Sequence, residues 1–475
     1  MTCTMSLQTL LEGWCEQVPD RVVSGLCLDA QQIEEGQAFV AVSGGGAHGM
    51  TRARQAETRG AAVVIHDGQT GVPELSIPHV AVPDLEQRLS ELGARFFRNP
   101  SDQLDIAGVA GGEGKASTTH FIAQSWQRAE GEAGIAGSAG CGPLKSGALA
   151  DSGASDAIGL QAVLARCIDH GVGKVALEVS SHALGRGHYR DITFDVAVFT
   201  GAGQGADSEP LFLHGHPRFA VVNHDDAAGK ALSRQINNGT QVLTFGTNGS
   251  TELRGSILGM DSAGMTLSIA SPWGGGELQT GLMGRSNLSG LLAAAGTLAL
   301  MGMPWNQVMH QLEIMRPLPG RMHCLGGEPG QPVIVMDDAD TPETLGQALE
   351  ALRSHLHGRL TCVFGCSSEL GAGQRRMMAR AAEALADRVV MTAAPSDGAD
   401  PFAIFADMMK GLKRPGEARL VPNRADAIRR AVAESGTGDI VLVAGRSRED
   451  WQATSGRNPL FNDETTVREL LEEVA

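Results

Sequence analysis

The sequence predicts an α/β protein of three units, with a mostly parallel sheet in the central unit and a doubly wound sheet in the last. Three observations support this. Residues 105–128 run from an apolar strand through a glycine-rich loop and a lysine into a helix. Strands at 174–179, 194–199 and 219–222 are apolar on both faces, as in parallel sheets that are covered on both sides. Residues 320–475 alternate strands with helices, which is typical of doubly wound sheets.

The first unit is predicted to cover residues 1–104. Its sequence indicates two short strands around a turn at 35–36, then a helix that ends before a buried strand, and finally a strand followed by an amphipathic helix. The segment Arg98-Asn99-Pro100-Ser101 breaks that last helix and indicates a linker.

The second unit, 105–319, begins with the glycine-rich loop. The Gly-, Ala- and Ser-rich stretch at 131–155 favours loop over regular structure. Short alternating strands separated by Gly turns at 253–283 predict an antiparallel appendage, and 287–303 reads as a buried helix. In the third unit, 320–475, ligands are expected beyond the carboxyl ends of the strands.

Composition excludes several classes of function. A net charge of −16 and an aromatic content of 4% argue against nucleic-acid binding, which depends on basic surfaces and stacking aromatics. No apolar run approaches the roughly 20 residues that span a membrane. Eight cysteines without a C-x-x-C pair suit a reducing compartment, and the N-terminus lacks signal-peptide features. We therefore predict a cytoplasmic protein without a membrane span.

The loop that follows the strand at 105–110 has the outline of a phosphate cradle. In such loops, main-chain N–H groups and a helix N-terminus face the anion, and a lysine adds a positive charge. Gly111, Gly114 and Lys115 fit this outline. Two residues oppose it, because Ala116 stands where a hydroxyl would hold Mg²⁺ and Glu113 adds a negative charge to the loop.

Several strings together resemble the Mur ligase family, and most closely its MurE type, which adds the third amino acid to UDP-N-acetylmuramoyl-dipeptide. They are ALEVSSHAL (176–184), LMGRSNLSGLLAA (282–294), PLPGRM (317–322), MDDADTPE (336–343), VFGCSSELGAGQRR (363–376) and VAGRSREDWQ (443–452). The resemblance implies a small N-terminal domain for the UDP-linked substrate, a central ATPase-type domain and a C-terminal Rossmann-like domain. It also implies chemistry with ATP and two Mg²⁺ ions, through an acyl phosphate that an amine attacks.

The resemblance assigns roles to residues that match the motifs of the family. It implies vestigial catalytic roles for Lys115, Glu178 and His182, of which Glu178 would be a Mg²⁺ ligand. It implies nucleotide contacts for Gly111, Gly114, Lys115, Ser117, Asn287 and Asp337, and substrate contacts for Ser152, Ser180, Ser181 and Glu449.

Other positions depart from the pattern of the family where the chemistry would need them. These signs of loss are Glu113, Ala116, Asp338, Asp340, Leu370, Ala372 and Asp397. Residues 201–207 also lack the metal-binding histidine of the family. No lysine lies between Lys174 and Lys230, so the helix that carries a carbamylated lysine is absent.

Structural alternatives stand beside these roles. Lys115 is as well explained by capping its own loop, and Glu178 by a hydrogen-bonded structural carboxylate. We expect His182 in the core and Asn287 as a helix N-cap. His214 and His216, with Asp207 and Glu209 nearby, suggest a metal site, although histidines in such loops are usually solvated.

The leading prediction is a MurE-like protein that has lost ATP-dependent ligation. It would need no cofactor and would act as an interaction or structural subunit for a protein partner, a Mur ligase or a larger assembly. One alternative is a weak or altered ligase that uses Mg-ATP. Another is a sensor that binds a UDP-muramyl peptide or nucleotide without turnover.

Overall fold

The computed structural model describes residues 4–44, 47–68, 71–144, 156–203, 208–237, 239–393, 400–445 and 462–474. The chain divides into two compact units, one formed by residues 1–251 with 293–303 and the other by 252–292 with 304–475. The predicted boundaries after 104 and 319 remain predictions. Within the described ranges, no helix combines the length and apolar character that a membrane crossing requires.

The N-terminal part of the first unit is built on a four-stranded parallel sheet in the order β3-β4-β7-β8. The turn predicted at 35–36 is present, with Gly36 at φ +85°, but the strand before it is divided at Ser24-Gly25. The elements are β1 (Met5–Ser6), α1 (Leu7–Leu10), β2 (Val22–Val23), β3 (Leu26–Cys27), β4 (Ala38–Ala41), β5 (Ser43–Gly44), β6 (Ala47–His48), α2 (Ala53–Thr58), β7 (Val63–His66), β8 (His79–Ala81) and α3 (Leu89–Phe96).

The rest of the first unit is a sheet in the order β11-β10-β12-β9-β13-β14-β15, parallel except for the β10–β11 pair. Its central strand is β9, which leads directly into the glycine-rich loop. The elements are β9 (Asp105–Ala110), α4 (Lys115–Glu130), β10 (Gly134–Gly137), β11 (Gly140–Pro143), α5 (Ala157–Asp169), β12 (Lys174–Glu178), α6 (Ser181–Gly185), β13 (Val196–Phe199), α7 (Glu209–Leu213), β14 (Phe219–Asn223), α8 (Ala227–Gln235) and β15 (Gln241–Gly246).

The loop predicted at 131–155 is wrong in part, because residues 134–143 form the β10–β11 hairpin. Burial overrides the high glycine content here. Ile135 and Cys141 pack in the core of the sheet, and β10 gains a ladder with β12. Residues 145–155, which include the predicted substrate contact Ser152, lie outside the described residues.

Helix α3 packs against α5, so the N-terminal sheet and the central sheet of this unit share buried residues. Ala157 and Ile158 of α5 belong to the same apolar cluster as Leu92. Gly93 permits this approach, because a Cβ there would lie 3.1 Å from the Gln161 side chain.

The second unit contains a six-stranded sheet in the order β19-β20-β24-β21-β22-β23, parallel except for β19, as a doubly wound sheet requires. The predicted antiparallel appendage is also present, as β16, β17 and β18. The elements that follow β15 are β16 (Leu253–Asp261), β17 (Gly264–Ser271), β18 (Gly274–Thr280), α9 (Ser286–Leu300), α10 (Trp305–Glu313), β19 (His323–Gly326), β20 (Val333–Asp337), α11 (Pro342–Arg353), β21 (Leu360–Phe364), α12 (Ala372–Leu385), β22 (Arg388–Met391), α13 (Pro401–Met409), β23 (Arg419–Leu420), α14 (Arg424–Ala433), β24 (Ile440–Ala444) and α15 (Asp463–Val474). All of them belong to the second unit except residues 293–300 of α9, which belong to the first.

A buried histidine fastens the antiparallel strands to the doubly wound part of the second unit. The Nε2 atom of His355 accepts the Gly284 N–H at 2.9 Å. Its Nδ1 atom lies 2.8 Å from the Asp261 carbonyl, so in the neutral ring Nδ1 carries the proton. Both nitrogens therefore have main-chain partners.

Candidate functional site

The glycine-rich loop lies at the carboxyl end of β9, where a parallel sheet places its ligands. We call residues 111–114 the phosphate loop. Gly111 and Gly114 have φ angles of +125° and +81°, and α4 begins directly after them at Lys115. The strand, loop, lysine and helix that the sequence predicted are therefore all present.

Lys115 is directed back onto the phosphate loop. Its Nζ atom donates hydrogen bonds to the carbonyl oxygens of Gly111 at 2.8 Å and Gly112 at 2.7 Å. A lysine ammonium has three donors, so two of them are used within the loop itself. This geometry agrees with the loop-capping alternative for Lys115.

The first turn of α4 lacks a hydroxyl at the position after the lysine, which is Ala116. Ser117 follows and is half-buried. The Thr118 hydroxyl is buried and has no hydrogen-bond partner among the described residues, while the Thr119 hydroxyl donates to the Lys115 carbonyl at 2.9 Å. Glu113 is exposed on the loop, so its charge stands beside the place that a phosphate would occupy.

Residues 200–203, which we call the strap, follow β13 and lie against the phosphate loop. The Gly112 N–H donates to the Gly201 carbonyl at 2.8 Å. The Thr200 hydroxyl donates to the Glu113 carbonyl at 2.9 Å. The strap thus takes up a main-chain donor of the loop that a nucleotide phosphate would use.

Glu178 ends β12, the strand next to β9, and is held by a serine from the β10–β11 turn. Its Oε2 atom accepts the Ser138 N–H at 2.9 Å and the Ser138 hydroxyl at 2.6 Å. The geometry agrees with the structural alternative for this carboxylate. Ser138 was not predicted from the sequence, because no local pattern links residues that are 40 positions apart.

The turn after Glu178 is hydrogen-bonded to Tyr189, the one tyrosine of the sequence. Its hydroxyl accepts the Ser180 N–H at 3.0 Å and donates to the Glu178 carbonyl at 3.4 Å. Burial raises the pKa of this phenol above its ordinary value. Tyr189 was also missed, and its uniqueness in the chain was the available signal.

The helix after this turn does not place its residues as expected. Ser180 is the N-cap of α6 and is exposed, and Ser181 is half-buried. His182 is exposed, so the expectation of a core histidine is wrong. The reason is that α6 has only five residues and buries none of them.

No group of three or more His, Cys, Asp or Glu side chains in the described ranges is arranged to hold a metal ion. His214 and His216 are exposed, as is Glu209, while Asp207 lies outside those ranges. At the phosphate loop, Ala116 has no hydroxyl to offer a metal ion, and the Lys115 ammonium is bonded to carbonyls of its own loop.

The carboxyl edge of the second unit contains Asp337, the last residue of β20. Its Oδ2 atom accepts the Met322 N–H at 2.9 Å, and its Oδ1 atom accepts the Ala339 N–H at 3.1 Å. Asp337 is 7% exposed, and burial raises its pKa to about 6. Asp338 is half-buried and Asp340 is exposed.

Asn287 is not the N-cap that the sequence predicted. Helix α9 begins at Ser286, so Asn287 lies inside the first turn. Its Nδ2 atom donates to the Met283 carbonyl at 2.6 Å. A capping side chain would instead accept a main-chain N–H, so the side chain works in the opposite sense.

The remaining positions at this edge are apolar or paired. Leu370 is half-buried against the apolar core, and Ala372 is the exposed first residue of α12. Arg375 of the same helix pairs with Asp407 at 3.2 Å and donates to the Ser368 carbonyl at 3.0 Å. Asp397 and Glu449 lie outside the described residues.

A second ion pair at this edge is buried and was not predicted from the sequence. Arg424 donates to both carboxylate oxygens of Asp463, at 2.9 and 2.7 Å, and to the Ala444 carbonyl at 3.0 Å. It therefore joins the start of α14, the end of β24 and the start of α15. Residues that lie 39 positions apart gave no local signal.

Comparisons with known proteins agree with this architecture. The family profile of the Mur ligase middle domain matches residues 109–205 and 208–298, and the profile described as Mur ligase, glutamate ligase domain matches residues 320–447. A UDP-N-acetylmuramoyl-L-alanyl-D-glutamate--2,6-diaminopimelate ligase from Xylella fastidiosa (strain Temecula1 / ATCC 700964) is 35% identical. One of the same name from Xanthomonas campestris pv. campestris (strain 8004) is 36% identical. Each similarity covers 99% of this chain and 98% of the relative.

Solved structures match over the same extent. The structure of a protein named UDP-N-acetylmuramoyl-L-alanyl-D-glutamate--2,6-diaminopimelate ligase superposes with a TM-score of 0.74 at 26% identity, and 99% of each chain is covered. A crystal structure of MurF from Acinetobacter baumannii, with a TM-score of 0.66, 16% identity and 99% of each chain covered, supports the fold alone. The chain therefore belongs to the Mur ligase family, and its similarity is to the MurE type over nearly its whole length.

Proposed function

We propose that this MurE-type protein does not catalyse ATP-dependent ligation and acts in the cytoplasm through binding, as an interaction or structural subunit. The observation that carries this proposal is the internal bonding of the phosphate loop. The Lys115 ammonium is bound to two loop carbonyls, and the Gly112 N–H is bound to the strap. Two of the three ammonium donors of Lys115 and one main-chain donor of the loop thus already have partners within the protein.

Electrostatics supports the same proposal. A ligation site must hold ATP and an acyl phosphate, so it needs cations, metal ions or main-chain donors to balance several negative charges. Glu113 adds a charge of the wrong sign, and Ala116 offers no ligand to Mg²⁺. Each unfavourable charge in a partly desolvated cleft costs on the order of 1 kcal/mol or more, and here several changes act together.

The second candidate function is ATP-dependent ligation of an amino acid such as diaminopimelate to a UDP-N-acetylmuramoyl-dipeptide. The comparisons favour this candidate over the first, since the relatives carry the name of that ligase at 35–36% identity over nearly the whole chain. We give the local site more weight, because identity averaged over a chain reports the scaffold and says little about single positions such as Ala116.

Calorimetry and a ligation assay on the full chain separate the two candidates. We expect no heat of binding when Mg-ATP is titrated to millimolar concentration. We also expect no phosphate release with UDP-N-acetylmuramoyl-L-alanyl-D-glutamate and diaminopimelate. The Xylella fastidiosa relative, assayed in parallel, is the positive control. Micromolar Mg-ATP binding or phosphate release by this chain would reject our proposal in favour of the ligase.

A double variant tests whether residues other than Glu113 and Ala116 also prevent Mg-ATP binding. Ala116→Thr with Glu113→Asn restores a hydroxyl and removes the loop charge, and we expect Mg-ATP binding to remain undetectable because Lys115 and Gly112 stay internally bonded. A gain of binding would show that these two residues alone prevent it.

The proposed protein partner is tested by co-purification. We expect a stoichiometric partner to co-purify with the tagged full chain.

A further inference from the structure

The strap contacts the phosphate loop through main-chain atoms and through the Thr200 hydroxyl. Two hydrogen bonds join them, from the Gly112 N–H to the Gly201 carbonyl and from the Thr200 hydroxyl to the Glu113 carbonyl. In loops that hold phosphate, successive main-chain N–H groups converge on the anion. Here a carbonyl oxygen of the protein stands in the position of the acceptor for one of them.

The contact requires glycine on both sides. A Cβ on Gly112 would lie 2.4 Å from the Gly203 Cα, and a Cβ on Gly203 would lie 2.6 Å from the Gly112 Cα. Neither residue has a positive φ, so the conformation of the main chain does not demand glycine at either position. Gly114 is the opposite case, with φ +81° and no atom within 4 Å of its added Cβ.

The strap is also held from the side away from the loop. Asn223 donates from Nδ2 to the Thr200 carbonyl at 2.8 Å. The Ala202 N–H donates to Asp226 Oδ2 at 3.1 Å, while the other carboxylate oxygen of Asp226 caps α8 by accepting the Ala228 N–H at 2.7 Å. The position of the strap is therefore fixed by the frame of the sheet as well as by the phosphate loop.

We propose that the strap is an autoinhibitory contact, in which Gly112 and Gly203 pack face to face and close the phosphate loop against anions. A phosphate then reaches the Gly112 N–H only after the strap has moved away. The inference rests on the proposed function in taking the phosphate loop as the site that is lost. It adds a physical barrier that is separate from the missing catalytic residues, and removing that barrier requires no catalytic residue to be restored.

Amide hydrogen exchange on the full chain tests the contact without relying on activity. The variant Gly203→Ala introduces the Cβ that would meet the Gly112 Cα, and Gly112→Ala approaches the contact from the other side. We expect peptides that contain residue 112 to exchange at least about tenfold faster in both variants, as the loss of one main-chain hydrogen bond predicts. We also expect 5 mM magnesium pyrophosphate, roughly the concentration needed for weak anion sites, to slow that exchange in Gly203→Ala and not in the wild type.

Ala202→Val is the matched control, because it adds bulk to the strap at an exposed residue next to Gly203. Exchange as slow in Gly203→Ala as in this control would overturn the inference. So would protection of the wild type by pyrophosphate, or no protection of the opened variant. If the wild type catalysed ligation and its Gly112 N–H exchanged slowly without ligand, the proposed function would be rejected and the strap inference would stand. An unprotected Gly112 in a chain that does not ligate would reject the strap alone.

Discussion

Each of the two units contains a mostly parallel sheet with polar side chains at its carboxyl edge. The partners that bind these charged side chains differ between the two edges. In the first unit, Lys115 is bound by main-chain carbonyls and Glu178 by Ser138. In the second unit, charged side chains are paired with each other, as in Arg424 with Asp463 and Arg375 with Asp407. At both edges, where related folds bind ligands, several polar groups are therefore bonded to partners within the protein.

This difference sets the energetic cost of disturbing each edge. A half-exposed lysine that donates to carbonyls can exchange those partners for water, so its net contribution is small. A buried ion pair cannot do so, because removal of one partner leaves a charge without solvent. The comparison therefore predicts large effects of substitution at the second edge and small effects at the first.

Removing Arg424 should have the largest effect. The side chains of Arg424 and Asp463 are 7% and 0% exposed, and Arg424→Leu leaves the carboxylate uncompensated. We expect a loss of about 3–5 kcal/mol in the free energy of unfolding, measured by urea denaturation followed by circular dichroism. The control is Arg429→Leu, whose partner Asp426 is exposed, and there we expect a loss of at most about 1 kcal/mol. Similar losses in both variants would contradict the comparison.

Asp337 should give the second edge a pH dependence. Burial raises its folded-state pKa to about 6, above the ordinary value of 3.8. Its stabilising contribution is therefore complete below pH 3.8 and is lost as the pH rises through about 6, at a cost on the order of 2–3 kcal/mol. We expect the free energy of unfolding, compared at pH 4 and pH 7, to fall less in Asp337→Asn than in the wild type.

The matched control for this prediction is Asp387, whose pKa is shifted in the opposite direction. Hydrogen bonds from Arg353, at 2.8 and 2.9 Å, lower the pKa of Asp387. The contribution of Asp387 to the free energy of unfolding is present above its ordinary pKa and is lost as the pH falls. The wild type therefore loses a little stability on acidification, and Asp387→Asn should not show that loss. If both variants changed the pH profile in the same direction, the assignment of Asp337 would be wrong.

The sequence predicted the elements of both sheets better than it predicted the contacts at their edges. Runs such as 175–177 and 219–222 are apolar throughout, and that pattern favours a buried parallel strand. The β10–β11 hairpin was missed, since its glycines indicate a loop until the ladder with β12 is known.

The contacts at the edges could not be predicted because they join distant residues. Ser138 is 40 positions from Glu178, and Thr200 is 87 positions from Glu113. Resemblance to a family identified Lys115 and Asp337 as positions of interest, but it could not reveal which atoms of this chain they contact. The strap followed only from the distance between Gly112 and Gly203.

Substitution of Lys115 should have the smallest effect and tests the first edge directly. Lys115→Met keeps the apolar part of the side chain and removes two hydrogen bonds to loop carbonyls, so we expect a loss of about 1 kcal/mol in the free energy of unfolding. A ligand that binds the folded state raises its stability in proportion to its affinity. We therefore expect 5 mM Mg-ATP, roughly 5,000 times a Kd of 1 μM, to leave the melting temperatures of the wild type and of Lys115→Met unchanged. Lys230→Met, on α8 of the same unit, controls for the loss of one positive charge. If Mg-ATP stabilised the wild type and the Lys230 variant but not Lys115→Met, the lysine would hold phosphate, and the first edge would be a working nucleotide site.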